Sequence, residues 1–251
     1  MRSHHDLLCQ TVPVAGHGGD LVPAYTARPV SGGPYPVVLV AHQQPGWDDS
    51  MMEVTRKIAT WGATVICPSL HYRDLPGADP GRQAEAAVEA GRPPDDRAIG
   101  DLVGALEYAR AWGGVTDRSA VIGFCSGGRH ALLVSTEVAV DAVISCYGTR
   151  LVGHPEDLTD RPPMRVFERL DSQRAPVLSL FGGQDEWVPM SDVEEFGNEL
   201  DRQSVPNTVL VYPNAGHAFL TPDRPQYSVD AATDGWMKIR KFLEEQLGME
   251  P

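Results

Sequence analysis

The chain has 251 residues, 42% of them hydrophobic and 22% charged, with a formal net charge of -13. That length and balance suit one large soluble α/β domain, 1–251, with a full core. The negative charge argues against a nucleic acid or an anionic membrane as partner, and it leaves any anionic substrate to be captured by local groups.

Residues 7–28 read as a hairpin, two alternating runs around the turn Gly16-His17-Gly18-Gly19-Asp20. Residues 35–41 are a continuous apolar run, as expected of a strand buried on both faces. The polar loop His42-Gln43-Gln44-Pro45-Gly46-Trp47 follows. A helix is expected over 48–61, capped by Asp48, Asp49 or Ser50, and a strand over 63–68. Residues 74–94 read as an irregular insertion with a helix-like stretch at 82–89. The spacing of Ile99, Leu102, Leu106 and Tyr108 predicts a helix over 95–112. Further strands are expected over 119–124, 141–147, 176–181 and 207–212. A second irregular segment, 148–175, carries His154, Pro155, Pro162 and Pro163. A helix starting near Met190 or Ser191 and a long one over 228–247 complete the chain. Strands alternating with helices imply a mostly parallel central sheet with helices on both faces, and ligands beyond the strand C-terminal ends. Both insertions follow strand ends, which makes them candidates for a lid or a pocket wall.

Four cysteines, Cys9, Cys67, Cys125 and Cys146, are widely spread without the paired spacing of a zinc or redox motif. No metal or other cofactor is expected. No apolar signal core follows the first residues, and no stretch is long and apolar enough to span a membrane. A cytoplasmic location is the expectation, as a monomer or homodimer.

The chemistry points to Gly123-Phe124-Cys125-Ser126-Gly127-Gly128, between a strand and a helix opening at Gly128. It is a thiol version of the Gly-x-Ser-x-Gly nucleophile elbow. Flanking glycines let strand and helix pack where a side chain would clash. The helix N-terminus favours thiolate over thiol. A cysteine nucleophile needs a base and a group to orient it. Two later strand ends supply them: Gly182-Gly183-Gln184-Asp185 and Asn214-Ala215-Gly216-His217. The order Cys125, Asp185, His217 matches nucleophile, acid and histidine in the α/β-hydrolase arrangement.

These motifs resemble the dienelactone hydrolases (carboxymethylenebutenolidases), from Pro36 to the C-terminal helix. Gly123–Gly128 is similar to that family's elbow. Gly182-Gly183-Gln184-Asp185 with Val188-Pro189 is similar to its acid loop, and Ala215-Gly216-His217-Ala218-Phe219 to its histidine loop. Cys67-Pro68-Ser69-Leu70 resembles a family strand end, with Arg73 falling at a substrate-carboxylate arginine. The resemblance implies an α/β-hydrolase fold and hydrolysis of a small-molecule lactone, ester or thioester through a cysteine acyl-enzyme. Three positions depart from the family. Gln43 replaces a glutamate that holds the thiol proton. His71 stands at an aromatic position, with Tyr72 adjacent. Thr221 stands at a second carboxylate-binding arginine, with Arg224 nearby.

The expected mechanism has His217, held by Asp185, make Cys125 a thiolate that attacks a carbonyl. The backbone N–H groups of Ser126 and Gln44 receive the oxyanion. Gln43, His71, Tyr72, Arg73, Trp47 and Phe219 are candidate substrate contacts, with Phe124 and Trp187 as further pocket walls. Two other readings fit the same residues: transfer of the acyl group to an amine or alcohol, or ring closure, and a non-catalytic binding or thiol-sensing homologue.

Overall fold

The structure, a computed structural model, describes residues 6–154 and 164–249. Of the second insertion, Pro155, Pro162 and Pro163 lie outside the described residues. Eight strands form one sheet in the order β1-β2-β4-β3-β5-β6-β7-β8. β1 (Leu7–Ala15) and β2 (Leu21–Pro29) are the antiparallel hairpin, and β2 pairs antiparallel with β4 (Thr64–Pro68). Pairing is parallel from β4 through β3 (Tyr35–Ala41), β5 (Val115–Phe124), β6 (Ala142–Cys146), β7 (Val177–Gly182) and β8 (Asn207–Tyr212).

Every residue of β4, β6 and β7 is buried. That is why these strands read as mainly apolar runs, broken only by Thr64, Ser145 and Ser179, rather than alternating ones. Successive residues still serve opposite faces. Val38, Val40, Ile122 and Ile144 pack under α1 (Asp49–Thr60) and α6 (Val229–Leu247), through Met51, Ile58, Trp236 and Ile239. Val37, Leu39, Val121 and Val143 pack under α3 (Asp95–Arg110), α4 (Ser126–Glu137) and α5 (Met190–Arg202), through Leu102, Leu106, Leu132 and Phe196. Helices therefore cover both faces, as expected of an α/β-hydrolase fold.

Element ends differ from expectation in three places. β5 begins at Val115 rather than Ser119, because Val115 still pairs with Tyr35 beyond a register break. The polar residues Thr116, Asp117 and Arg118 hide that extension. α3 stops at Arg110, short of Trp112, and the chain then turns through Gly113-Gly114. α4 opens at Ser126 rather than Gly128, so a single residue links β5 to it. Within the first insertion, α2 (Pro80–Glu89) is a full helix whose start is capped by Asp79, its carboxylate accepting from the Arg82 N–H. The order β4-β3-β5 places a switch in strand sequence beside β3. There the loops after β3 and β5 diverge and leave a crevice. Among the described residues no helix is long and apolar enough to cross a membrane.

Candidate active site

Cys125 occupies the one-residue junction with φ 54 and ψ -119. Left-handed backbone at a non-glycine residue costs about 1–2 kcal/mol. Main-chain bonds hold it there: the Cys125 N–H donates to the Cys146 carbonyl at 3.0 Å, and the Gly128 N–H to the Cys125 carbonyl at 2.9 Å. The glycine frame has a direct steric cause. A Cβ on Gly123 would lie 1.9 Å from the Gly127 carbonyl oxygen, and one on Gly127 2.2 Å from that of Ala41. Strand, elbow and the loop after β3 thus touch backbone to backbone.

Asp185, on the turn after β7, and His217, after β8, converge on this elbow. His217 Nδ1 and Asp185 Oδ2 are 2.7 Å apart. The other carboxylate oxygen, Oδ1, accepts from the N–H groups of Trp187 at 2.8 Å and Val188 at 3.1 Å. Asp185 cannot turn without breaking three bonds. Burial alone would depress the His217 imidazole. Asp185 and the Cys125 sulfur reverse that and push it up to about 9. Burial would likewise raise the Cys125 thiol, but His217, the Ser126 N–H and Thr149 hold it below its ordinary value. The two shifts run in opposite directions and each group is a cause of the other's, so Cys125 and His217 are electrostatically coupled. His217 Nε2 is buried and makes no hydrogen bond of normal geometry.

A cavity of about 260 Å³ opens beside Ser126 and Gln44. No main-chain acceptor takes the Ser126 or Gln44 N–H among the described residues. The Ser126 N–H instead acts on the Cys125 sulfur. His71 also lines the cavity, with Gly91–Pro94 from the first insertion and Thr149, Arg150 and Met164 from the second. Both insertions therefore contribute wall. The cavity also includes a buried cluster absent from the sequence reading. Asp95 accepts from both terminal nitrogens of Arg129 at 2.6 Å and lies 3.0 Å from His130 Nε2. Burial would raise the Asp95 carboxyl, yet His130 and Arg129 hold it well below the usual carboxylate range. Arg129 is thereby neutralised. Arg92 is not: no carboxylate reaches its guanidinium among the described residues. Desolvation first, then repulsion from Arg150, lowers it, while the Cys125 sulfur attracts it. Arg92 and Arg150 both have left-handed backbone, φ 69 and φ 56.

Several expected contacts lie elsewhere. Arg73 is committed to Asp101, at 2.6 and 3.0 Å, and to Asp20 at 2.9 Å. It ties the hairpin turn to α3 and has no free face for a substrate. Tyr72 lies beneath the Arg73 guanidinium, 5.0 Å from the ring centroid, and packs on the α3 side of the core. Trp47 donates its indole N–H to the Cys67 carbonyl at 2.9 Å and packs edge-on to Tyr25. Phe219 and Phe124 are fully buried, both against Tyr147. These four aromatic and basic contacts, with Phe124, support the frame rather than line the cavity. Gln43 is buried. With its amide oxygen facing Arg224, it accepts from Nε at 3.2 Å and Nη2 at 3.0 Å. Arg224 also pairs with Asp48, the cap of α1. Thr221 takes part through its hydroxyl, 3.2 Å from that of Tyr147. All four cysteines are free thiols. Among the described residues no group of three or more His, Cys, Asp or Glu is placed to hold a metal ion.

A model of the dienelactone hydrolase family matches residues 22–247. An Escherichia coli K12 protein named "Putative carboxymethylenebutenolidase" is 32% identical over 92% of this chain and 84% of its own. A Bradyrhizobium protein named "Probable 2-oxo-3-(5-oxofuran-2-ylidene)propanoate lactonase" is 28% identical over 92% of each chain. The crystal structure titled as a "Putative Dienelactone Hydrolase" from Klebsiella pneumoniae superposes with a TM-score of 0.83 at 27% identity, over 97% of this chain and 99% of that one. A left-handed cysteine on a strand–helix junction, facing a histidine bound to an aspartate, is thus set in a chain that belongs to the dienelactone hydrolase family of α/β-hydrolases.

Proposed function

We propose that this protein hydrolyses a small lactone or ester bearing a carboxylate, through an acyl-enzyme on Cys125. One observation carries the reading: a cysteine held in left-handed backbone at a helix start and a histidine bonded to Asp185 lie close enough to shift each other's ionisation. The thiolate adds to the carbonyl carbon, and the oxyanion is received by the Ser126 and Gln44 N–H groups. Collapse breaks the acyl C–O bond, and the His217 imidazolium gives its proton to the departing oxygen. In a lactone that oxygen stays attached as a new hydroxyl. His217 then takes a proton from water, whose oxygen attacks the thioester, and the thiolate returns.

Names of relatives that end in lactonase or butenolidase support the lactone as substrate class. The carboxylate is supported by Arg92, which lines the cavity and meets no carboxylate among the described residues. A reduced, low-lying thiol suits a reducing compartment, which favours the cytoplasm. The test is intact-protein mass after rapid mixing with a slow chromogenic ester. One acyl mass should appear on the wild type and none on Cys125→Ala, with turnover in that variant reduced by a factor of about 10³ or more. Wild-type turnover in Cys125→Ala would reject the proposal.

A further inference from the structure

Trp187 is the large aromatic left most open in this chain, 63% exposed, yet it is not loosely placed. Its ring lies nearly flat on the His217 imidazole, with centroids 5.2 Å apart and an interplanar angle of 19°. The opposite contact is Tyr147, edge-on at 5.1 Å and 62°. The Trp187 backbone is set by the same carboxylate that orients the imidazole. Asp185 Oδ1 accepts the Trp187 N–H while Oδ2 faces His217 Nδ1. One acid group therefore places both rings in a common frame. A neutral indole face against an imidazolium is an attractive cation–π contact.

We propose that Trp187 is a positioning residue, whose indole holds the His217 ring in the plane set by Asp185 and stabilises its protonated form. This rests on the Cys125–His217 reading and extends it to a residue that acts through the imidazole. The groups facing His217 are Asp185 from the turn after β7, Cys125 from the elbow and the Tyr147 phenol after β6. Glu186 shares the shallow surface depression outside it, and Arg224 lies beyond Tyr147. A cation–π contact favours the imidazolium equally whether the thiol is ionised or not. Its loss should therefore lower the pH at which the imidazolium gives up its proton, and leave the pH of thiol ionisation where it was.

The experiment is NMR titration of labelled His217 in the resting protein, beside the pH dependence of Cys125 alkylation by iodoacetamide. Variants are Trp187→Ala, Trp187→Leu and Trp187→Phe. Ala and Leu should move the imidazolium titration down by about 0.4 to 1.5 pH units, and Phe by clearly less. The acid side of the alkylation profile should not move in any of them. The alkaline limb of kcat/KM should follow the titration. A Trp187→Leu titration that overlays the wild type would overturn the proposal, as would equal movement in Leu and Phe. If Ala fails to fold, Leu and Phe decide it. The titration needs no turnover, so an active Cys125→Ala would dismiss the acyl-enzyme reading without touching this result.

Discussion

Asp185→Asn keeps the shape of the side chain and removes its charge. The wild-type His217 imidazolium is held up to about 9 from an ordinary 6.5, with Asp185 as the first of the groups raising it. The interval of about 2.5 pH units corresponds to about 3 kcal/mol, or roughly 300-fold. Cys125 adds to the rise and burial works against it, so the net interval sets only the scale of the effect. The sign follows from which state binds the proton. Below the variant's own imidazole titration, which burial holds down, the imidazole is charged with or without Asp185, and the variant should approach wild type. Between about 6.5 and about 9 only the wild type keeps the imidazolium, so the deficit should widen with rising pH and level off above about 9. The same linkage gives a stability signature. The pair's contribution is fully present below the unfolded pKa and is lost as pH rises through the folded one. Wild-type stability should therefore fall over that window more than the variant's. The assay is kcat/KM for a chromogenic ester across the neutral and alkaline range, beside urea unfolding at the same pH values. An Asp185→Asn enzyme within about threefold of wild type throughout, with its alkaline limb unmoved, would refute the reasoning.

Arg92→Ala should raise KM for a carboxylate-bearing ester by about 10- to 100-fold, from the loss of a charge-assisted contact, and leave its neutral methyl ester nearly unaffected. Equal effects on both esters would dismiss the anion role. Arg73→Met should do the reverse. It leaves Asp101 buried without its partner, so urea unfolding should show a loss of about 3–5 kcal/mol while KM holds. Gln43→Glu puts a carboxylate between Arg224 and the site, so the thiol should ionise at higher pH, read as an upward move of the acid limb of iodoacetamide alkylation. Superimposable profiles would mean that position 43 does not govern the sulfur.

The frame was largely readable from the sequence because its causes are local. Val37–Val40 form an apolar run since helices cover the strand on both sides. Gly123 and Gly127 are spaced as a close backbone crossing demands. Asp185 and His217 stand directly after strands, where any side chain is delivered to the crevice. The cavity wall was less legible because its causes are long-range. Arg73 looks like an anchor until α3 brings Asp101 beneath it. Arg92 and Arg150 are far apart in the chain, and only the fold brings both to the wall of one cavity. Phe219 follows the histidine closely in the chain, yet the turn sends it inward against Tyr147 and Tyr212. Asp95, Arg129 and His130 read as ordinary helix residues, since only the meeting of α3 with α4 makes them one cluster.

The bonds that fix position 125 run through peptide groups: to Cys146, from Gly128 and from Thr149. None of them uses the sulfur. The main-chain seat is therefore set without the sulfur, and its backbone tension would face other side chains that have a Cβ as well. A hydroxyl could sit in the same seat with little refolding. The mounting is the less forgiving part, since a side chain at Gly127 would collide with the Ala41 carbonyl and push the junction apart.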